Sequence, residues 1–253
     1  MNVTPQMIID AMKNEEFIVY YQPKVSLLRY NLAGAEALCR WIHDGKLIQP
    51  DLFIPQLEKM EEIAEFDFYL LEHICRDIRK WLDEKLNVVK TSVNLSRCHK
   101  MNDALLKRLV GTIDKYRIPH QYIEFELLES TMEVNYDELK SLLTGLTLEG
   151  ITTSVDDFGI GYSSMNLIRT LPWNVIKIDK SFVPKSDSDY RQHTIFRHLI
   201  SMARDLGLDC IVEGVETVEQ VRLLKENKCY LAQGFLFDRP LPPAEFRRRL
   251  LGN

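Results

Sequence analysis

The chain has 253 residues, 45% hydrophobic and 27% charged, a balance that supplies a sizeable core and excludes whole-chain disorder. Lys plus Arg number 32 against 37 Asp plus Glu, a formal net charge of −5 with no long basic block, which argues against a nucleic-acid polymer as partner. The five cysteines, Cys39, Cys75, Cys98, Cys210 and Cys229, are odd in number, widely spaced and form no Cys-x-x-Cys pair, so a reducing, cytoplasmic setting is expected. The first sixteen residues carry Asp10, Lys13, Glu15 and Glu16 and no apolar stretch of the signal-peptide kind. No apolar run approaches the ~20 residues of a membrane helix, so no membrane contact by this stretch is expected.

Taken in chain order, β-rich runs at 16–27, 32–42, 87–96, 121–129, 151–157, 174–179, 208–214 and 230–237 predict eight strands. Between them, residues 63–85, 103–116, 136–148, 163–171, 189–206 and 217–227 carry helical spacing of apolar residues, and 243–251 predicts a last helix. Gly150 and Gly207 fall just past two helix ends, where a left-handed cap is expected. This alternation predicts an α/β fold, a modified (β/α)8 TIM-like barrel, with an open doubly wound sheet as the alternative. Only about four residues separate the first two strands, too few for a crossover helix, so the first strand should be antiparallel. No Pro-, Gly- or Ser-rich linker divides the sequence, and 1–253 is expected to be a single domain.

Side chains alternate across a strand. In the second strand Gly34, Glu36, Leu38 and Arg40 share a face; in the third, Ser92, Asn94 and Ser96; in the sixth, Val175, Lys177 and Asp179. Their neighbours Val93, Leu95, Ile176 and Ile178 are apolar and suit the helix-facing side. This places Glu36, Asn94, Glu126, Asp156, Lys177, Glu213 and Gln233 around one mouth, the end of such barrels where active sites are built. Glu36, Glu126, Asp156, Asp157 and Glu213 together, with Lys177 and Arg40 as the nearby cations, would repel one another. Divalent cations would relieve this, and an all-oxygen set suits Mg²⁺ or Mn²⁺ better than zinc. Adjacent Asp156 and Asp157 suit two ions, as in two-metal phosphoryl hydrolysis.

The segments Gly34-Ala-Glu-Ala-Leu-Cys-Arg-Trp41, Val93-Asn-Leu-Ser96, Asp156-Asp-Phe-Gly-Ile-Gly-Tyr-Ser-Ser164, Ile176-Lys-Ile-Asp-Lys-Ser-Phe182, Glu213-Gly-Val-Glu-Thr217 and Gln233-Gly-Phe resemble the signature set of EAL-domain cyclic di-GMP phosphodiesterases. The resemblance runs from Tyr21-Gln-Pro23 to Pro240-Leu-Pro242. It implies that Glu36, Asn94, Glu126 and Asp156 ligate one metal, that Asp156 and Asp157 bind a second, and that Glu213 supports the site. Lys177 would help hold the attacking water, and Gln233 would complete the network. Gln22, Pro23, Leu38 and Arg40 would meet the substrate, Arg40 at a phosphate, and Glu129 would anchor the loop after Asp157. The implied reaction opens cyclic di-GMP to linear pGpG, with a non-hydrolytic cyclic di-GMP receptor on the same fold as the alternative. The resemblance also implies a homodimer, here through 163–171 and the following helix, where Met165, Leu167 and Ile168 offer an apolar surface. Regulatory or cyclase domains in a longer parent chain are compatible with it. The sequence departs from the family pattern at Leu128 and Ile160, each a usual Thr, at the turn His43-Asp44-Gly45, and at Glu61, a usual Gly position.

Other motifs carry less. Gly159-Ile-Gly161 lacks the third glycine of a dinucleotide loop and follows two aspartates, which would repel a pyrophosphate. His193 and His198 lie about 140° apart around a helix and do not share a face. Arg247-Arg-Arg249 suits the end of a final helix. Met60, Met101, Met132 and Met165 form no stripe, and Trp41, Trp81 and Trp173 suit packing roles.

Overall fold

A computed structural model of the chain describes residues 3–60, 63–96, 98–128, 135–159, 164–184 and 189–252. Two strands begin the barrel: β1 (Phe17–Ser26) and β2 (Asn31–His43) run antiparallel, paired from Phe17 opposite Trp41 to Ser26 opposite Asn31 with a register shift between Lys24 and Val25. Their short connection places Tyr30 at φ 55. From β2 the sheet continues in parallel through β4 (Lys90–Asn94), β5 (Ile123–Leu128), β6 (Thr152–Phe158), β7 (Val175–Ile178), β8 (Asp209–Val212) and β9 (Leu231–Gln233). β9 then pairs antiparallel with β1, Gln233 opposite Lys24, and closes the barrel. The expected closed barrel with an antiparallel first strand is therefore present, and the open-sheet alternative is not.

The crossovers α3 (Ile63–Asp83), α4 (Asp103–Lys115), α5 (Tyr136–Leu148), α6 (Ser164–Thr170), α7 (Tyr190–Asp205) and α8 (Val218–Glu226) follow the predicted pattern, and α9 (Pro243–Leu251) closes the chain. Their ends carry ordinary signals. Asn102, Asn135, Asp189 and Thr217 cap helix starts with side-chain oxygens, and Gly150 and Gly207 sit at φ 77 and 73 just past α5 and α7. The outward faces of the strands, including Val93, Phe125, Leu127, Val155, Ile176, Ile178 and Val212, pack with the helices into one apolar cluster.

Among the described residues, α1 (Pro5–Lys13), β3 (Lys46–Ile48) and α2 (Pro50–Leu57) go beyond the sequence expectation, as do short 3₁₀ turns at His120–Tyr122 and Lys180–Phe182. β3 folds back on β2 through Asp44 and Gly45, at φ 51 and 72, the conformation a two-residue hairpin of matching twist requires. Pro50 opens α2, where its missing N–H is harmless, but Pro55 lies inside it. These pieces enclose a second cluster at the mouth end of β1 and β2, in which Phe17 meets Trp41, Phe53 and Phe66 at ring-centroid distances of 5.4, 5.4 and 4.8 Å. The surface expected on α6 is narrower than its sequence suggests. Leu167 and Ile168 are buried in the main cluster, and Met165 remains 62% exposed.

The turn after β9 is tightly threaded: Val215 N–H donates to Gln233 O and Leu236 N–H to Val215 O, both at 3.0 Å. A Cβ on Gly234 would overlap the Val215 backbone. Gly234→Ala is expected to destabilise the protein by about 1–3 kcal/mol, read as a Tm lowered by roughly 2–12 °C. An unchanged melting temperature would contradict this reading of the turn.

Candidate active site

Period-2 alternation turns Lys24, Glu36, Ser92, Glu124, Glu126, Ser154, Asp156 and Lys177 into the barrel interior, where all are buried. Asp156 and Asp157 pose a geometric problem, because adjacent residues of a regular strand point to opposite faces. The β6–β7 ladder shifts register between Val155 and Phe158, and Asp157 adopts φ 53. That left-handed residue breaks the alternation. Asp156, Asp157 and Glu213 can consequently each present a carboxylate oxygen within 4.8 Å of the others. Asp156 Oδ1 also accepts the backbone N–H of Asp157 at 2.9 Å, which stiffens the bend.

Lys177 lies at the centre, 1% exposed. Its ammonium is 2.8 Å from Glu126 Oε2, 3.0 Å from Asp156 Oδ1, 2.8 Å from Glu213 Oε1 and 3.9 Å from Glu36 Oε2. Burial alone would drive off its proton; the surrounding carboxylates reverse this and hold it firmly charged, well above the usual lysine range. Burial likewise opposes ionisation of Glu126, but Lys177 and Lys24, one on each oxygen, bring its carboxyl down to about 2. Glu213 has only Lys177 against burial and the neighbouring acids Asp156, Glu36 and Glu126, and it is pushed up to about 8. Burial also raises Glu36 and Asp156.

Toward the mouth, Gln233 Nε2 donates to Glu36 Oε2 and, at 3.1 Å, to Gln22 Oε1. Asn94 Nδ2 donates to Glu36 Oε1 at 3.4 Å. Gln22, Glu36, Leu38, Lys180, Glu213, Gln233 and the half-exposed Phe235 line a cleft. Gln233 Oε1 is buried in it without a partner among the described residues. A hard divalent cation fits this donor set: carboxylates and an amide oxygen, grouped and partly unpartnered.

All seven residues predicted at the mouth meet in this network. Arg40 stands on the same strand, half-buried, its guanidinium donating to Cys39 O at 2.7 Å and lying 5.5 Å from the Tyr20 ring centroid. Pro23 is buried in β1 opposite Ala35. Leu128 is half-buried and lines a mainly apolar cavity with Leu38, Ile54 and Phe66, which Asn94 also borders. Glu129, Ile160 and Glu61 lie outside the described residues. The sequence reading missed Lys24, a second interior cation besides Lys177, and its partner Glu124. The signal was available, since Lys24 shares a strand face with Gln22, and Glu124 with Glu126.

The profile of the EAL domain family matches residues 6–240. The chain is 33% identical to the signaling protein YkoW of Bacillus subtilis over 99% of its own length and 32% of YkoW's. It is 34% identical to the cyclic di-GMP phosphodiesterase NbdA of Pseudomonas aeruginosa over 92% of its length and 30% of NbdA's. It thus spans roughly a third of the length of these curated relatives. Among solved structures it resembles the PaMucR phosphodiesterase in its c-di-GMP complex, with TM-score 0.87 and 31% identity, covering 95% of this chain and 98% of that one. An EAL domain protein from Listeria monocytogenes EGD-e gives TM-score 0.86 and 28% identity, covering 98% of each chain.

The raised Glu213 carboxyl has a measurable consequence in metal-free protein. Between the ordinary carboxyl range and about 8, the folded state holds a proton that the unfolded chain has released. Stability from this group is therefore greatest at low pH and falls as pH rises, by at most about 1.4 kcal/mol per pH unit. Urea unfolding in EDTA from about pH 5 to about pH 8 should show this decline, and Glu213→Gln should flatten it. Equal slopes in the two proteins would contradict the assignment.

Proposed function

This chain belongs to the EAL domain family, and on that premise we propose that it hydrolyses cyclic di-GMP to linear pGpG with two Mg²⁺ or Mn²⁺ ions. The observation that carries the reading is the backbone reversal at Asp157, which gathers Asp156, Asp157 and Glu213 into one group. Glu36, Asn94, Glu126 and Asp156 would hold one ion, and Asp156 and Asp157 the other, with Glu213 in support. Bound there, paired cations lower the pKa of water and stabilise charge on the attacking and leaving oxygens.

The remaining steps belong to the chain's own groups. Lys177 keeps a proton-rich, fixed positive charge beside Asp156 and Glu213, where it orients the attacking water and offsets the carboxylates. Gln22 and Gln233 hold Glu36 in place through Gln233 Nε2, and Leu38 and Gln22 line the cleft in which the substrate would lie. Arg40 would meet a substrate phosphate and Pro23 would shape the wall beside it. Glu129 would anchor the loop after Asp157. Relatives named for this phosphodiesterase activity support the choice of substrate.

Incubation with cyclic di-GMP and Mn²⁺ should yield pGpG, resolved by ion-exchange chromatography, and EDTA should abolish it. Asp156→Asn should lower turnover at least ~10²-fold, the scale of removing a key electrostatic group. Full activity in EDTA or in the variant would overturn the two-metal reading. Cyclic di-GMP bound by wild type at every Mn²⁺ concentration without product would make the domain a receptor.

Self-association with a second copy belongs to the same reading. Met165 on α6 and Tyr190 and Ile195 on α7 are exposed apolar side chains, and a two-fold dimer through these helices would use the same surface twice. Sedimentation at tens of micromolar protein should show a dimer, and monomer alone, with and without metal, would remove this part of the proposal.

A further inference from the structure

We infer that Lys24 is a positioning residue for the reaction, fixing the Glu126 carboxylate from below so that Lys177 is held at the height of Asp156 and Glu213. The inference rests on the reading above that Glu126 and Lys177 serve the active site, and it concerns a side chain outside the motif roles assigned there. Lys24 enters from β1, the antiparallel strand, and is 6% exposed. Its ammonium has three donors, and three oxygens surround it: Ser92 Oγ at 2.7 Å, Glu126 Oε1 at 2.9 Å and Glu124 Oε1 at 3.3 Å.

Each of these partners is fixed in turn. Ser92 Oγ donates to Ala35 O at 3.3 Å, the residue before Glu36, and Ser154 Oγ donates to Glu124 Oε1 at 2.9 Å. Lys24 thus joins β1, β4 and β5 beneath the mouth. Lys177 occupies the other Glu126 oxygen at 2.8 Å. A carboxylate gripped on both oxygens from opposite sides cannot rotate about its terminal bond without breaking one of the grips. With Lys24 gone, Glu126 would keep one charged partner, Glu124 would have no cation, and Lys177 would follow Glu126 away from its other two carboxylates.

A purely structural role would be satisfied by restoring charge balance, and a positioning role would not. Lys24→Met removes a buried cation and should lower the melting temperature. Lys24→Met combined with Glu124→Gln removes one positive and one negative charge together, leaves the interior's net charge unchanged, and should recover most of that loss. The hold on Glu126 Oε1 remains absent in both. In the double variant we therefore expect Mn²⁺ affinity, by titration calorimetry, and kcat for cyclic di-GMP each to fall by about 10- to 100-fold, the usual effect of losing a partner behind a metal ligand. Mn²⁺ affinity equal to wild type in a double variant of restored melting temperature would overturn the inference. A wild type that binds Mn²⁺ without turnover would overturn the phosphodiesterase reading alone, and the calorimetric comparison would still decide the role of Lys24. Wild type without Mn²⁺ binding would overturn both.

Discussion

A lysine ammonium sealed inside a barrel can stay charged only if carboxylates replace the water it has lost, and Lys177 has four of them within 4.0 Å. The dependence is mutual. Glu126 is wholly buried and ionised because Lys177 and Lys24 grip its two oxygens. Breaking a buried pair by removing one partner is far more disruptive than the net value of the pair suggests, since it leaves a bare charge behind. The barrel interior is accordingly an ionic lattice, whereas the cohesion expected of a core comes from the outward strand faces packed under the helices. This division lets the mouth carry a dense acidic set without relying on it for burial of apolar surface.

The lattice is not neutral everywhere. Cations sit low and centrally, with Lys24 beneath Glu126 and Lys177 beside it, and the acids toward the mouth are the ones that burial raises: Glu36, Asp156 and Glu213. The carboxylates that could share a cation therefore lie where Asp156, Asp157 and Glu213 converge. At the same point Asp157, non-glycine at φ 53, interrupts the β6–β7 ladder. Such conformations persist where the surroundings over-determine them, and they cluster at functional sites.

Much of this was legible in the sequence, for identifiable reasons. Alternation separates Asn94 from Val93 and Lys177 from Ile176, so the strand faces follow from the sequence alone. The four-residue link after β1 allowed only an antiparallel partner. Legibility ended where tertiary context overrides local rules. Pro55 argues against a helix, yet α2 forms around Phe53 and Leu57, which seal the second cluster. Leu167 and Ile168 look like surface beside Met165, but the packing of α6 buries them. Strict alternation would have sent Asp157 to the opposite face, and only a register shift brings it back. Lys24 carried a signal of its own, on one face with Gln22, that becomes informative only once its reach to Glu124 and Glu126 across the barrel is known.

Anomalous diffraction from crystals grown with Mn²⁺ and cyclic di-GMP tests the central claim most directly. The expected result is two manganese peaks, one against Asp156 and Asp157 and one shared by Asp156 with Glu36, and Lys177 still paired to a carboxylate. Cyclic di-GMP bound in the cleft with no manganese peak at Asp156 would contradict it.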